Sequence, residues 1–574
     1  MDQQRPFLYL TLLFLGFLIW STWQTEHAPK PASTDTSQSQ TGADTNKNGK
    51  VQNSADIPTG VTAKVPDNAT GTVPQNNAST DNKLRELHVK TDVLDLIIDL
   101  QGGSIVQSDL PTYPVSLEEK DKPIRIIDRN KNYAAQSGLI HRGANGAQRA
   151  PNHYALFSAQ QKEYVLKEGQ DKLIVPISWT NQQGITVNKI YSFERGKFLI
   201  HLEQKINNQS QQPWIGNEYK QLTHGEYHRN GNIMSGAVAY VGAAYYNGKY
   251  TKISFGNIED GELSPLKPSE MTEADKEKRF VKGGWAAMIQ HYFVSAWIPP
   301  QDQVNTYYTK YIKDKKLSII GIKSPEKTIN PGASDSFKSQ FYVGPAIQSE
   351  LEKIAKGLDL TVDYGIFAFV SKPIFAVMKF IHKYVGNWGW TIILLTLLIK
   401  ILFFYPSAMG YRSTAKMKKL APKLKAINEK YKNDPQAKQK ETFAFYKREK
   451  FNPMGGCLPM LIQMPVFMGL YWVLLESVEL RQAPWILWYK DLSIMDPYFV
   501  LPILYGISFW FQQKLNPPMM QDPMQQKIFT YLPLVFTVMF LFFPAGLVLY
   551  WLVNNLLGMF QQWYITKKIM AEDG

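Results

Sequence analysis

Lys400 is the residue that asks most of its surroundings. It stands in the run TIILLTLLIKILFFY, and no other Lys, Arg, Asp or Glu falls inside five apolar segments at residues 391–405, 457–475, 498–511, 528–543 and 546–560. A charge in hydrocarbon costs at least ~2.5–3.5 kcal/mol, so it faces a cavity or partner, or stretches its stem to the headgroups. Counted from Trp388 at ~1.5 Å per residue, Lys400 lies about 18 Å into a hydrocarbon core about 30 Å thick. Pro406 is close enough for snorkelling, so depth alone leaves both readings open. The neighbours say more. Thr396 is one turn earlier on the same face, and the other segments contribute no acid, only the uncharged Gln463, Asn554 and Asn555. Such amides often act as interhelical hydrogen-bond glue. Beside a cation without a counter-charge they also describe a hydrated groove, because water is then the remaining solvent for the ammonium.

Other chemistry is missing. The sequence has no P-loop, GxSxG or HExxH pattern, and its nine His are scattered. One cysteine, Cys457, excludes internal disulfides and a zinc cluster within one chain. An enzyme is not indicated, and no cofactor is implied.

The elements that must position Lys400 follow from patterning. The chain has 574 residues, a net charge of +14 and a mean hydropathy of −0.26. That average hides the apolar final third behind a polar middle. Residues 1–23 carry the run FLYLTLLFLGFLIW and read as an uncleaved transmembrane anchor, since no A-x-A-like site follows. Residues 24–83 read as a flexible periplasmic tether, because 24–82 contain no Phe, Trp, Tyr or Leu and cannot bury enough apolar area to offset ordering. Residues 84–345 read as a large all-β sandwich. Ile185, Val187, Tyr191 and Phe193, then Ile200, Leu202 and Ile206, alternate around the turn Glu194-Arg195-Gly196-Lys197, a hairpin of half-buried strands.

Residues 346–387 read as a linker followed by an amphipathic helix lying in the membrane interface; packing of that helix on the β domain is the other reading. Transmembrane helices are expected at 388–406, 457–476, 497–512, 528–543 and 546–564, with a tail at 565–574. With the anchor this makes six. Between Pro406 and Gly456 there are 13 basic against 4 acidic residues, whereas residues 476–496 carry a net −2. The basic loop is therefore cytoplasmic. Both termini are then cytoplasmic and the β domain is outside, in a bacterial periplasm.

Residues 407–456 read as a cytoplasmic helical hairpin. Met417, Leu420, Leu424, Ile427 and Tyr431 repeat at 3,4 spacing, the seam of a coiled pair, and Asn433-Asp434-Pro435 breaks the helix. Arg412, Lys416, Lys418, Lys419, Lys423 and Lys425 either set topology only or contact an acidic partner, lipid headgroups or ribosomal RNA.

Several motifs together resemble one family. Gly386-Asn387-Trp388-Gly389, the basic hairpin, Asn452-Pro453-Met454-Gly455-Gly456-Cys457-Leu458-Pro459 and Gln463-Met464-Pro465 are similar to the YidC/Oxa/Alb family of membrane protein insertases, in its Gram-negative form. So are residues 477–484, 522–527 and 544–550. The resemblance implies a multidomain membrane protein with six transmembrane α-helices: a five-helix insertase core plus the N-terminal anchor. To these it adds a large periplasmic all-β supersandwich, similar to galactose-mutarotase-like folds, and the cytoplasmic hairpin. It implies a hydrophilic groove in the cytoplasmic half of the membrane, where the family carries Arg at the position of Lys400. Thr396, Gln463 and Trp551, a Tyr in most of the family, are implied as groove or substrate contacts. Met464, Phe467 and Met539 are expected to form an apolar slide for the substrate helix. The implied work is to insert, fold and help assemble inner-membrane proteins without nucleotide hydrolysis. Implied partners are nascent membrane proteins, the Sec translocon (SecYEG, SecDF), a ribosome or signal-recognition-particle receptor on the cytoplasmic side, and membrane lipids. A small-solute transporter would favour paired ionisable groups or inverted repeats, and neither is evident. A carbohydrate-binding module on an anchor would not need five further spans.

Overall fold

The computed structural model describes residues 56–58, 85–142, 146–227, 240–264, 271–431, 434–449, 451, 458–515 and 523–572. The expected anchor at 1–23 and nearly all of the expected tether lie outside these residues. Within the stretch read as a flexible tether, however, Asp56 and Pro58 are buried, because Asp56 finds hydrogen-bonding partners in the β domain.

Twenty strands among the described residues form two sheets, one of eleven and one of nine. The alternation seen in the sequence sets their registers. Strand Ile185–Glu194 buries every second residue up to Phe193 and pairs antiparallel with Leu199–Asn208, placing Phe193 opposite Ile200 and Tyr191 opposite Leu202. Gly196 turns the corner at φ +69°, which a side chain would resist. Leu199–Asn208 then pairs with Ser334–Pro345, which pairs with Phe293–Ile298. The larger sheet centres on Trp214–His224, flanked by Ala134–His141 and Leu317–Lys323. Fully enclosed Trp285, Trp297, Tyr307, Phe341 and Tyr342 fill the core. In strand Ile185–Glu194 the inward Lys189 departs from the apolar pattern: it is fully buried, its amine donating to Gly102 O at 2.6 Å and Ser137 O at 2.8 Å.

The C-terminal part is helical: α1 (Ala368–Val385), α2 (Trp388–Leu402), α3 (Phe404–Lys430), α4 (Pro435–Arg448), α5 (Leu458–Glu476), α6 (Val500–Leu515), α7 (Pro523–Phe540) and α8 (Ala545–Glu572). Gly386 ends α1 in the left-handed region, and the Asn387 side chain caps α2 by accepting from Trp390 N. Thr391, Ile392, Leu395, Thr396 and Ile399 form the buried stripe of α2, while Leu394, Leu397, Leu398, Ile401 and Leu402 are exposed. Exposed apolar faces of this extent, repeated on α6 and α7, are stable only in an apolar surrounding.

Among the described residues, one helix, Gly365–Val385, is long and apolar enough to cross a membrane unaided. Trp388–Leu402 and Phe404–Met417 meet that requirement together but bend by 70° between them. The helix expected to lie in the interface is thus the one that meets this requirement, and its buried face packs on the helical core. Ser371 Oγ donates to Gly469 O of α5 at 3.0 Å, and the Phe375 ring stacks near Trp388 at 6.4 Å.

The β domain and the helices are joined by polar clamps. Arg481 Nη2 donates to the carbonyls of Pro114 at 2.7 Å and Val115 at 2.9 Å, and His291 Nε2 donates to Leu475 O at 2.9 Å. Tyr364 and Ser477 share a buried hydroxyl contact of 3.1 Å. On the far side, α3 and α4 form a hairpin around Leu420, Leu424, Phe445 and Phe451, with Met417 and Ile427 packed alongside. Four of the five seam positions predicted from the spacing, Met417, Leu420, Leu424 and Ile427, lie in this cluster, and Tyr431 does not. Asp434 caps α4 through Gln436 N and Ala437 N.

Candidate functional site

Lys400 sits in the last turn of α2, half-buried, and its amine turns into the helical core. A Cβ placed on Gly558 of α8 would lie 3.3 Å from Tyr411 Oη, 3.5 Å from Lys400 Nζ and 3.8 Å from Gln512 Nε2. Polar groups from α2, α3 and α6 therefore converge on a backbone position where α8 has no side chain. Among the described residues Lys400 has no ion pair or hydrogen bond. The absence of a carboxylate matters, since an ion pair would close the notch to an incoming acid.

Trp551, Asn554 and Gly558 share one face of α8 by their 3,4 spacing. Trp551 Nε1 and Asn554 Oδ1 are buried with no hydrogen-bond partner among the described residues. Leaving such a group unmatched costs ~1–3 kcal/mol, so this face favours water or a polar ligand. The Trp551 ring lies 4.7 Å from Phe467 of α5, 5.9 Å from Phe540 of α7 and 6.2 Å from Tyr505 of α6. Four helices thus meet at one aromatic cluster above the polar face.

The remaining expected groove residues divide. Gln463 donates its amide to the hydroxyl of fully buried Tyr550, binding α5 to α8. Asn555 Nδ2 donates to Ser508 Oγ at 2.8 Å, and the Ser508 hydroxyl donates to Tyr505 O at 2.7 Å. Asn555 is therefore interhelical glue between α8 and α6. Thr396 is fully enclosed and its hydroxyl donates to Ile392 O at 2.7 Å, one turn back in its own helix. Its side chain is not presented to a groove, because the shared face with Lys400 turns against packed helices at that level. Met464 and Phe467 are half-buried one turn apart on α5, and Met539 is exposed on α7.

An apolar cleft of about 550 Å³ opens between α6 and α8, lined by Leu504, Ile507, Phe511, Leu552, Leu556 and Met559, with Ser508 and Lys514 as its polar members. It runs along the flank of α8 beside the notch and does not include Lys400.

On the hairpin, Arg412, Lys416, Lys419, Lys423 and Lys425 are exposed. Lys423 Nζ donates to Glu449 Oε1 at 3.2 Å, joining the foot of α4 to α3. The Lys418 side chain lies outside the described residues. Tyr411, Gln512, Ser508 and Gly558 were not singled out from the sequence. A glycine at helical spacing from Trp551 and Asn554 was the one available signal, and it is weak without the partner helices.

An all-β domain clamped onto apolar-faced helices, with one cation turned inward, defines a helical membrane protein with a large extramembranous sandwich. The sequence relatives place it further. Residues 86–377 match the family described as YidC periplasmic domain, and residues 380–572 match the 60Kd inner membrane protein family. Proteins named membrane protein insertase YidC are similar over full length: 47% identical in Thioalkalivibrio sulfidiphilus (strain HL-EbGR7), over 99% of both chains. The identity is 44% in Methylococcus capsulatus, over 99% of both chains, and 41% in Stutzerimonas stutzeri (strain A1501), over 100% of this chain and 99% of that one. A crystal structure described as active YidC insertase with its first transmembrane domain resolved aligns at TM-score 0.37 and 16% identity, over 82% of this chain and 91% of that chain. On the sequence relatives, the chain belongs to the YidC family of membrane protein insertases.

Proposed function

We propose that this chain inserts, folds and helps assemble inner-membrane proteins, alone or with the Sec translocon, through the notch beside Lys400 and without nucleotide hydrolysis. The observation that carries this reading is the inward amine of Lys400, held near Gly558, Tyr411 and Gln512 with no described acid to neutralise it. A nascent chain with a short translocated tail must bring polar backbone and acids across hydrocarbon. A cation in a water-accessible recess lowers that barrier by attracting the acidic tail and shortening the dry path. The substrate helix then leaves past Phe467, Met464 and Met539 into lipid, driven by burial of its apolar residues. The chemistry is binding and partition, so no covalent step is assigned to any residue.

Six spans, cytoplasmic termini and a periplasmic β domain complete the proposed arrangement, with the basic loop inside by charge. The hairpin then faces the ribosome or the signal-recognition-particle receptor, and its exposed lysines suit phosphate-bearing or acidic partners and lipid headgroups. Replacing Lys400 by Ala in a strain depleted of its own insertase tests the reading. Insertion of substrates with acidic tails should fall, and Lys400→Arg should keep it; equal insertion by the Ala form would reject the charge mechanism.

A further inference from the structure

The β domain holds a second polar site, and part of the chain's own N-terminal stretch occupies it. Asp56 is 5% exposed. Tyr154 donates its hydroxyl to Asp56 Oδ2, and His153 Nε2 lies 3.3 Å from the same oxygen. Gln221 Nε2 donates to the main-chain carbonyl of Asp56 at 3.3 Å. Pro58, two residues on, is also buried.

These donors are arranged by contacts that do not involve Asp56. The Tyr219 hydroxyl accepts from His153 N at 3.0 Å and lies 2.5 Å from Nδ1 of the same residue. These contacts fix the His153 ring beside the carboxylate, with Nε2 at 3.3 Å from Asp56 Oδ2. Tyr308 donates to Gln221 Oε1 at 2.8 Å, and Gln221 Nε2 also donates to Gln136 Oε1 at 2.8 Å. Gly102, at φ +77°, lies directly behind His153, where a side chain would collide with its carbonyl. A loop and strands of the larger sheet therefore fix donors on one point. Asp56–Pro58 pair with no strand among the described residues.

We propose that His153, Tyr154 and Gln221 form a carboxylate-recognition site for a short turn-forming peptide, and that Asp56-Ile57-Pro58 is its resident ligand, bound in cis. The ligand class is a peptide with an aspartate followed closely by proline: the carboxylate meets His153 and Tyr154, the adjacent carbonyl meets Gln221, and proline supplies an apolar foot. Because the contact is local, an outside peptide of this chemistry competes with the chain's own segment.

The test uses the full chain in detergent and a fluorescein-labelled peptide of residues 53–59, NSADIPT. Asp56→Ala frees the site, so this variant should bind the peptide about ten-fold or more tightly than the parent chain, the effect of about one charge-assisted hydrogen bond. The peptide with Asn in place of Asp should lose that gain. Adding Tyr154→Phe to Asp56→Ala should lose it too, while far-ultraviolet circular dichroism reports that the sandwich is retained. Equal binding by the parent and Asp56→Ala chains, no binding by either, or equal binding of the Asn peptide would each overturn the proposal.

Discussion

The amine of Lys400 lies 3.5 Å from where a side chain on Gly558 would begin. That spacing brings the end of α2 up to the backbone of the middle of α8, with room for no more than about a methyl group between them. It also explains why a glycine is useful there despite its cost of ~1 kcal/mol in a helix interior. The space beside the cation is kept by leaving atoms out.

Filling the gap should therefore act like removing the charge. Gly558→Val puts branched carbon against Tyr411 Oη and Lys400 Nζ. Insertion of acidic-tailed substrates is expected to fall about ten-fold, equivalent to ~1.4 kcal/mol. Thermal unfolding should change little, since the better helix propensity offsets crowding. Unchanged insertion, measured by protease protection of the substrate tail, would contradict the notch.

Asn555 and Ser508 should couple as interhelical glue. Asn555→Leu and Ser508→Ala each remove one partner of the 2.8 Å bond. A double-mutant cycle on unfolding in detergent is expected to give a coupling of ~0.6–1.7 kcal/mol. Strict additivity would return Asn555 to the list of free groove groups.

Lys189 gives the β domain a pH signature. Burial pushes its amine down to about 7 from an ordinary 10.5. Between those values the unfolded chain binds a proton that the folded one does not, so stability rises with pH across that window and is lost as pH falls through it. The contribution to the slope approaches ~1.4 kcal/mol per pH unit. Lys189→Met should be less stable near pH 9, since it leaves Gly102 O and Ser137 O unmatched, and should show a flatter rise from pH 7 to 9.5. An unaltered slope would show that Lys189 keeps its charge throughout.

The hairpin should be separable from the core. Its seam of Leu420, Leu424, Phe445 and Phe451 forms a cluster of its own. Deleting residues 416–447 is expected to lower insertion in cells several-fold and leave the unfolding temperature of the remaining chain within a few degrees. Insertion at the parental rate would remove the hairpin from the delivery path.

Much of this was legible in the sequence for definite reasons. Alternation at Ile185, Val187, Tyr191 and Phe193 announced a hairpin because a one-residue slip would expose the whole set. Met417, Leu420, Leu424 and Ile427 announced the seam of α3 in the same way. Lys400 stood out because charge is rare in apolar runs. What escaped were positions defined by partners distant in sequence. Lys189 stands at an inward register of its strand, but its three acceptors come from Gly102 and Ser137, distant in sequence. Thr396 shared a face with Lys400 by spacing, but spacing does not tell which neighbour covers that face or that the hydroxyl bonds back to Ile392. Asp56 lay in a stretch whose composition argues against order, and its burial depends on His153 and Tyr154 nearly a hundred residues away.

Photocrosslinking from position 512 tests the central claim most directly, because Gln512 borders the Lys400 notch and its replacement leaves the lysine in place. With a ribosome-stalled membrane protein carrying an acidic tail, position 512 should crosslink to the nascent chain, and Lys400→Ala should weaken that product. Exposed Leu394, on the outer face of α2, serves as the comparison and should give little product. Crosslinks of equal strength from both positions, or product at 512 that is indifferent to the charge at 400, would contradict the account.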